Sequence, residues 1–97
     1  MIQQDLNTLQ TFTMGFCERR ASRTRNGISL DDLKRLGNRL KLPGWNRIKL
    51  LRKSALCRYI MFYKPHILEF FNSHPINQNA SLSLYRVFIQ TEFQGLR

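Results

Sequence analysis

Acidic side chains are scarce in this sequence: six Asp and Glu stand against sixteen Lys and Arg. They lie singly or, for Asp31 and Asp32, at a helix start, so no carboxylate set is arranged to hold magnesium for nuclease work. Cysteine and histidine are rarer still, two of each. Cys17, Cys57, His66 and His74 do not follow zinc-ligand spacing. There is no glycine-rich phosphate loop and no nucleophile–base–acid set. No uninterrupted apolar run approaches the roughly 20 residues of a membrane span. The start, MIQQDLNTLQ, lacks the basic and apolar regions of a signal peptide. These absences speak against an enzyme, a metal or other cofactor, and a membrane protein, and they favour a cytoplasmic chain. In that compartment Cys17 and Cys57, both on or near apolar stripes, are expected as buried, reduced thiols rather than a disulfide. Asn79-Ala80-Ser81 fits a glycosylation sequon, which has no consequence without export.

Positive charge on a globular frame is what the chain does have. Its 97 residues make one domain, 1–97, and 42% hydrophobic content with seven Phe sets it apart from a disordered tail. A chain of this size buries only about two thirds of its unfolded surface, so modest stability is expected. The net charge is +10 and it is localised. Residues 19–64 hold fourteen of the sixteen cations and two acids, which makes that segment +12 and the remainder −2. Such one-sided charge repels itself unless a polyanion neutralises it, and nucleic acid is the first candidate.

Apolar spacing predicts an all-α fold, a bundle of about four to five helices around one long central helix. A first helix over residues 5–21, capped by Asp5, places Leu6, Leu9, Phe12, Phe16 and Cys17 on one face. It runs into the densest basic cluster, Arg19, Arg20, Arg23 and Arg25, whose planar donor forks suit phosphate. Asn26-Gly27 marks a turn, and Ser29 caps a second helix to about residue 41 with Asp31 and Asp32 in its first turn. Leu33, Leu36, Gly37 and Leu40 form its inner face, with Gly37 open to a close helix approach; Lys34, Arg35, Arg39 and Lys41 lie off that face. Leu42-Pro43-Gly44 stops it, and Trp45 reads as a core plug in preference to a base-stacking platform.

The central helix is placed over residues 46–64, a stretch without Gly or Pro. Ile48, Leu51, Ala55, Tyr59 and Phe62 form its broad apolar stripe; Leu50, Cys57 and Met61 form a narrower one opposite. Basic seams run between, Arg47 and Arg58 on one flank and Lys49, Lys53 and Lys64 on the other. Arg52 falls inside the broad stripe, either snorkelling or aimed at a phosphate or carboxylate across an interface. Pro65 breaks or restarts the chain before a short helix over residues 66–73 with Ile67, Leu68, Phe70 and Phe71 buried. After a polar loop over residues 75–80, a last helix capped by Ser81 runs over residues 81–93 and repeats Tyr85, Phe88, Ile89 and Phe93. A strand is the rival there, but it would lack a partner.

Residues 29–60 resemble the helix-extended-helix modules of SAP and Rho-N-terminal type, on Leu33, Lys34, Leu36, Leu40, Leu51, Arg52, Lys53, Leu56 and Ile60, with extra residues 45–50 between the halves. In size, helix pattern and charge the whole chain resembles the small subunits of CRISPR Cascade effector complexes. That resemblance implies a non-catalytic helical bundle that stacks in a nucleoprotein complex beside other subunits or copies of itself. It also implies that Arg19, Arg20, Arg23, Arg25 and the seams of the long helix hold a strand by its backbone.

Three functions follow as expectations. The first is a backbone binder inside a nucleoprotein assembly, on DNA or RNA. The second is a DNA-reading module, with the second helix, the Leu42-Pro43-Gly44 turn and the long helix as a helix-turn-helix. The third is a small inhibitor on an acidic protein surface.

Overall fold

The chain is seen in a computed structural model that describes residues 2–19, 27–75 and 79–91. Among these residues it is all-α, with six helices: α1 Ile2–Gln10, α2 Met14–Glu18, α3 Leu30–Arg39, α4 Trp45–Ile48, α5 Lys53–Ser73 and α6 Asn79–Thr91. The long helix α5 packs against α1, α2, α3 and α4.

The inner face of α5 is Leu56, Ile60, Tyr63, Ile67 and Phe71, at steps of three and four residues, with Cys57 beside it. Each such burial contributes roughly 1.5–3 kcal/mol of transfer free energy. Two expectations about this helix are corrected. The stretch 46–64 is two helices, because Arg52 takes an extended conformation (φ −65°, ψ 154°) and α5 starts only at Lys53. The break lets Trp45 turn under the core and resets the helical phase. Leu51 and Phe62, placed on the broad apolar stripe, are about half exposed, at 53% and 49%, and Leu50 is 77% exposed. Pro65 neither breaks nor restarts the chain, so residues 66–73 belong to α5. Proline removes one helical N–H, but it sits on the exposed side while Tyr63 and Ile67 anchor the turns before and after it.

The first helix is likewise two. α1 ends at Gln10, and Thr13 caps α2 by accepting from the Phe16 N–H at 3.1 Å. Lys64 reaches the freed end of α1, its Nζ donating to the Phe12 carbonyl at 2.6 Å and the Gln10 carbonyl at 3.4 Å. Asp5 does not cap a helix start. It is buried inside α1, where both its oxygens accept from Arg39 Nε at 3.0 and 3.1 Å.

The cysteines are a further correction. Both are fully buried as expected, yet they form a disulfide between α2 and α5, with Cα atoms 5.7 Å apart. The expectation of free thiols came from compartment, which carries no geometry; the α2–α5 packing brings the two side chains face to face within bridging distance.

The second helix follows the sequence closely. Ser29 caps α3 by accepting from the Asp32 N–H at 3.2 Å, and Leu33, Leu36 and Gly37 are buried. Gly37 makes the close approach: a Cβ there would overlap the indole ring of Trp45. That ring is a core plug, 3% exposed, its Nε1 donating to the Lys34 carbonyl at 2.9 Å. Tyr59 closes the turn by donating to the Pro43 carbonyl. Gly44 is left-handed (φ 70°), as a glycine can be without strain, but so is Lys41 (φ 57°), where a side chain costs roughly 1–2 kcal/mol.

α6 is a helix, as expected over a strand. It starts at Asn79, so Ser81 is not its cap. The buried Ser81 hydroxyl instead donates to the Pro75 carbonyl at 2.8 Å. Tyr85 and Ile89 enter the core; Tyr85 lies 5.0 Å from the Phe71 ring, and Phe88 stacks on Phe70 at 4.8 Å. Phe93 lies outside the described residues.

Candidate nucleic-acid interface

The fourteen cations expected to grip a backbone divide into four groups. Arg20, Arg23 and Arg25 lie outside the described residues. Arg35 and Arg39 are paired to carboxylates, Arg35 to Asp32 at 3.0 Å on the surface and Arg39 to buried Asp5. Arg39 was expected to face solvent or a ligand; the buried charge of Asp5 requires a partner and takes it.

Lys53 and Lys64, expected on an outer basic seam, turn inward. Lys53 Nζ donates to the Ile28 carbonyl at 2.6 Å and the Arg19 carbonyl at 3.0 Å, so it ties α5 to both ends of the segment between α2 and α3. The Ile28 N–H also donates to the Arg19 carbonyl at 3.2 Å. Lys64 closes the end of α1 in the same way. The Gln10 and Arg19 carbonyls lie at helix ends, where carbonyls lack partners within their own helix, and those of Phe12 and Ile28 lie in the links between helices; ammonium groups satisfy both kinds. The donors of both lysines are thereby committed within the fold. Arg19 folds back, its Nε donating to the Gly15 carbonyl at 3.0 Å.

The remaining six are Lys34, Lys41, Arg47, Lys49, Arg52 and Arg58. No acidic side chain pairs with them among the described residues. Lys34 sits on α3 and Lys41 just past its end. Arg47 and Lys49 follow on α4 and its C-cap. Arg52 and Arg58 are exposed at and beyond the start of α5.

Two open grooves cut the surface. One, about 760 Å³ between α1 and the C-terminal half of α5, is lined partly by Glu69 and by no Lys or Arg. The other, about 480 Å³, lies where α3, α4 and α6 meet. Lys41 and Arg47 line it with the amides of Asn38, Asn46 and Gln90, over a floor that includes Trp45, and no carboxylate is among its lining residues. Gln90 Nε2 donates to the Lys41 carbonyl at 2.7 Å and holds the left-handed turn from α6. This groove offers cationic and neutral N–H donors on one concave surface, a combination suited to phosphate oxygens.

The sequence located Lys41 and Arg47 but missed the three amides. Asn38 and Asn46 were hidden among cations that dominate their segment. Gln90 comes from another helix, and no local pattern connects it to residue 41. Among the described residues, no three of His, Cys, Asp and Glu gather as a metal site would need, and no helix is long and apolar enough to cross a membrane. Compared with known protein families, curated proteins and solved structures, the chain matches none.

Proposed function

We propose that this chain is a non-catalytic subunit that binds the phosphate backbone of a nucleic acid in the cytoplasm, inside a larger nucleoprotein assembly, as a Cascade small subunit does. The observation that carries this reading is the α3–α4 surface. Lys34, Lys41, Arg47 and Lys49 follow one another there without an acidic partner among the described residues, and Lys41 and Arg47 line a groove with no carboxylate in its lining. Four such contacts give a salt dependence of log K on log salt of roughly −3 for a single strand. Fluorescence anisotropy with labelled single- and double-stranded DNA and RNA over a salt series tests it. Binding that is absent, or indifferent to salt, refutes it.

A second reading has its own observation. Leu50 and Leu51 are exposed in the α4–α5 turn, between Lys49 and Arg52. A phosphate backbone has no use for exposed leucines, whereas a protein partner does. An acidic protein surface, on a neighbouring subunit or on the target of an inhibitor, fits that turn; a stable complex surviving nuclease treatment of the lysate supports it. The disulfide sets a condition on the cytoplasmic assignment, since cytosolic thiols are kept reduced.

A further inference from the structure

We infer that the α3–α4–α6 groove is a built site for one phosphodiester group, gripped by Lys41 and Arg47, and that Lys41 is kept in a strained backbone conformation for this purpose. The inference rests on the backbone-binding reading above and narrows it to one subsite. Lys41 occupies the position just past the end of α3, where helices favour glycine because φ is positive. Glycine there would relieve the strain. Lysine persists at a cost, and Gln90 spends a side-chain donor on its carbonyl to hold the turn. Strained residues of this kind collect where a side chain must be aimed. The lysine lines a groove with a second cation, Arg47, and three amides whose N–H groups can donate to the same oxygens. The groove between α1 and α5 is also lined by amides, those of Gln3, Gln10 and Asn72, but they stand beside Glu69 and no Lys or Arg lines it. A monoanionic diester matches two cations without a carboxylate better than an apolar or cationic ligand does.

Stability and binding must then move in opposite directions at residue 41. Lys41→Gly is expected to raise the melting temperature by about 3 °C, the strain relief less the greater freedom of glycine in the unfolded chain. The same variant should weaken binding of a labelled single strand about tenfold and lower the salt slope by about one. Lys41→Asn, which also tolerates positive φ, should weaken binding equally without the glycine entropy cost. Arg58→Ala, an exposed cation outside the groove, should change affinity less than about twofold and leave the slope in place. A Lys41→Gly protein that melts lower than the parent overturns the inference, as does one that binds no worse than Arg58→Ala. In both cases the backbone-binding reading stands if the parent binds. A parent that binds no strand overturns both.

Discussion

Reduction of the Cys17–Cys57 bond should lower the melting temperature by about 20 °C. The bond joins residues 40 apart in sequence. Closing a loop of that length removes enough freedom from the unfolded chain to be worth about 4 kcal/mol at 25 °C. A chain of 97 residues unfolds with an entropy of about 0.2 kcal/mol/K, which converts that loss into about 20 °C. Whole domains of this size are stable by only about 5–15 kcal/mol, so the bond supplies a substantial share. Both sulfurs are fully buried between α2 and α5, so two separated thiols must also share the space of a bridge, and that adds to the loss. The assay is thermal unfolding by circular dichroism with and without a phosphine reductant, beside a Cys17→Ala/Cys57→Ala double variant that should melt close to the reduced parent. Two results refute the reasoning. One is oxidised and reduced proteins melting within about 5 °C of each other. The other is alkylation of both cysteines in unfolded protein that was never reduced.

Other consequences concern packing, the backbone and pH. Gly37→Ala drives a methyl group into the Trp45 ring, which cannot yield without losing its bond to the Lys34 carbonyl; it should cost about 1–3 kcal/mol, read as a lower urea midpoint. Pro65→Ala restores the N–H that α5 lacks opposite the Met61 carbonyl and should add about 1 kcal/mol; a lower midpoint would count against an uninterrupted α5. Burial raises the phenol pKa of Tyr63, reinforced by Tyr59, and that of Tyr85, reinforced by the charge of Asp5, both above the ordinary 10.0. The unfolded chain then loses these protons first, so their stabilisation is complete below pH 10 and falls as pH rises beyond it. Urea midpoints on either side of pH 10 measure this. Tyr63→Phe should flatten the fall, which separates it from the opposing relief of repulsion as lysines lose charge; an unchanged slope in that variant refutes the assignment.

The parts of the fold legible in the sequence are those where local chemistry and tertiary packing agree. At α3 the Ser29 cap, the first-turn acids, the Leu33–Leu36 face and the Leu42-Pro43-Gly44 stop all point one way, and each is found in place. The same holds for Trp45 as a plug and for α6 as a helix. Local chemistry was silent where packing decides. Nothing in residues 46–64 marks a break, because Lys49, Leu50, Leu51 and Arg52 are ordinary helix formers. The turn exists because Trp45 must lie under Gly37 while Leu56 and Ile60 face the core. Proline misled in the opposite direction: its local cost at residue 65 is outweighed by apolar anchors on both sides of it. At the candidate site, charge was visible but the destination of each charge was not. Arg39, Lys53 and Lys64 have the same composition signal as Lys41 and Arg47, and only distance in space separates them.

That separation makes a scan of the basic residues by binding alone misleading, and it yields a last prediction. Lys53 joins α5 to the Ile28 and Arg19 carbonyls, and Lys64 joins it to the end of α1. A charge-assisted hydrogen bond to a carbonyl contributes about 1.5–3 kcal/mol, and losing it strands an acceptor as well. Lys53→Met and Lys64→Met keep the apolar stem and remove the ammonium, so each should lower stability by about 2 kcal/mol. Each also removes one positive charge, but from a committed position away from the groove. Binding measured well below the melting transition should therefore fall only slightly and keep its salt slope. Arg47→Met should do the reverse, with stability unchanged within about 0.5 kcal/mol and a slope reduced by about one. Measured together, the two properties sort the cations by role. If Lys53→Met and Lys64→Met leave stability intact yet flatten the salt slope, the inward lysines belong to the strand-binding surface, and the division between structural and ligand-facing charge is wrong.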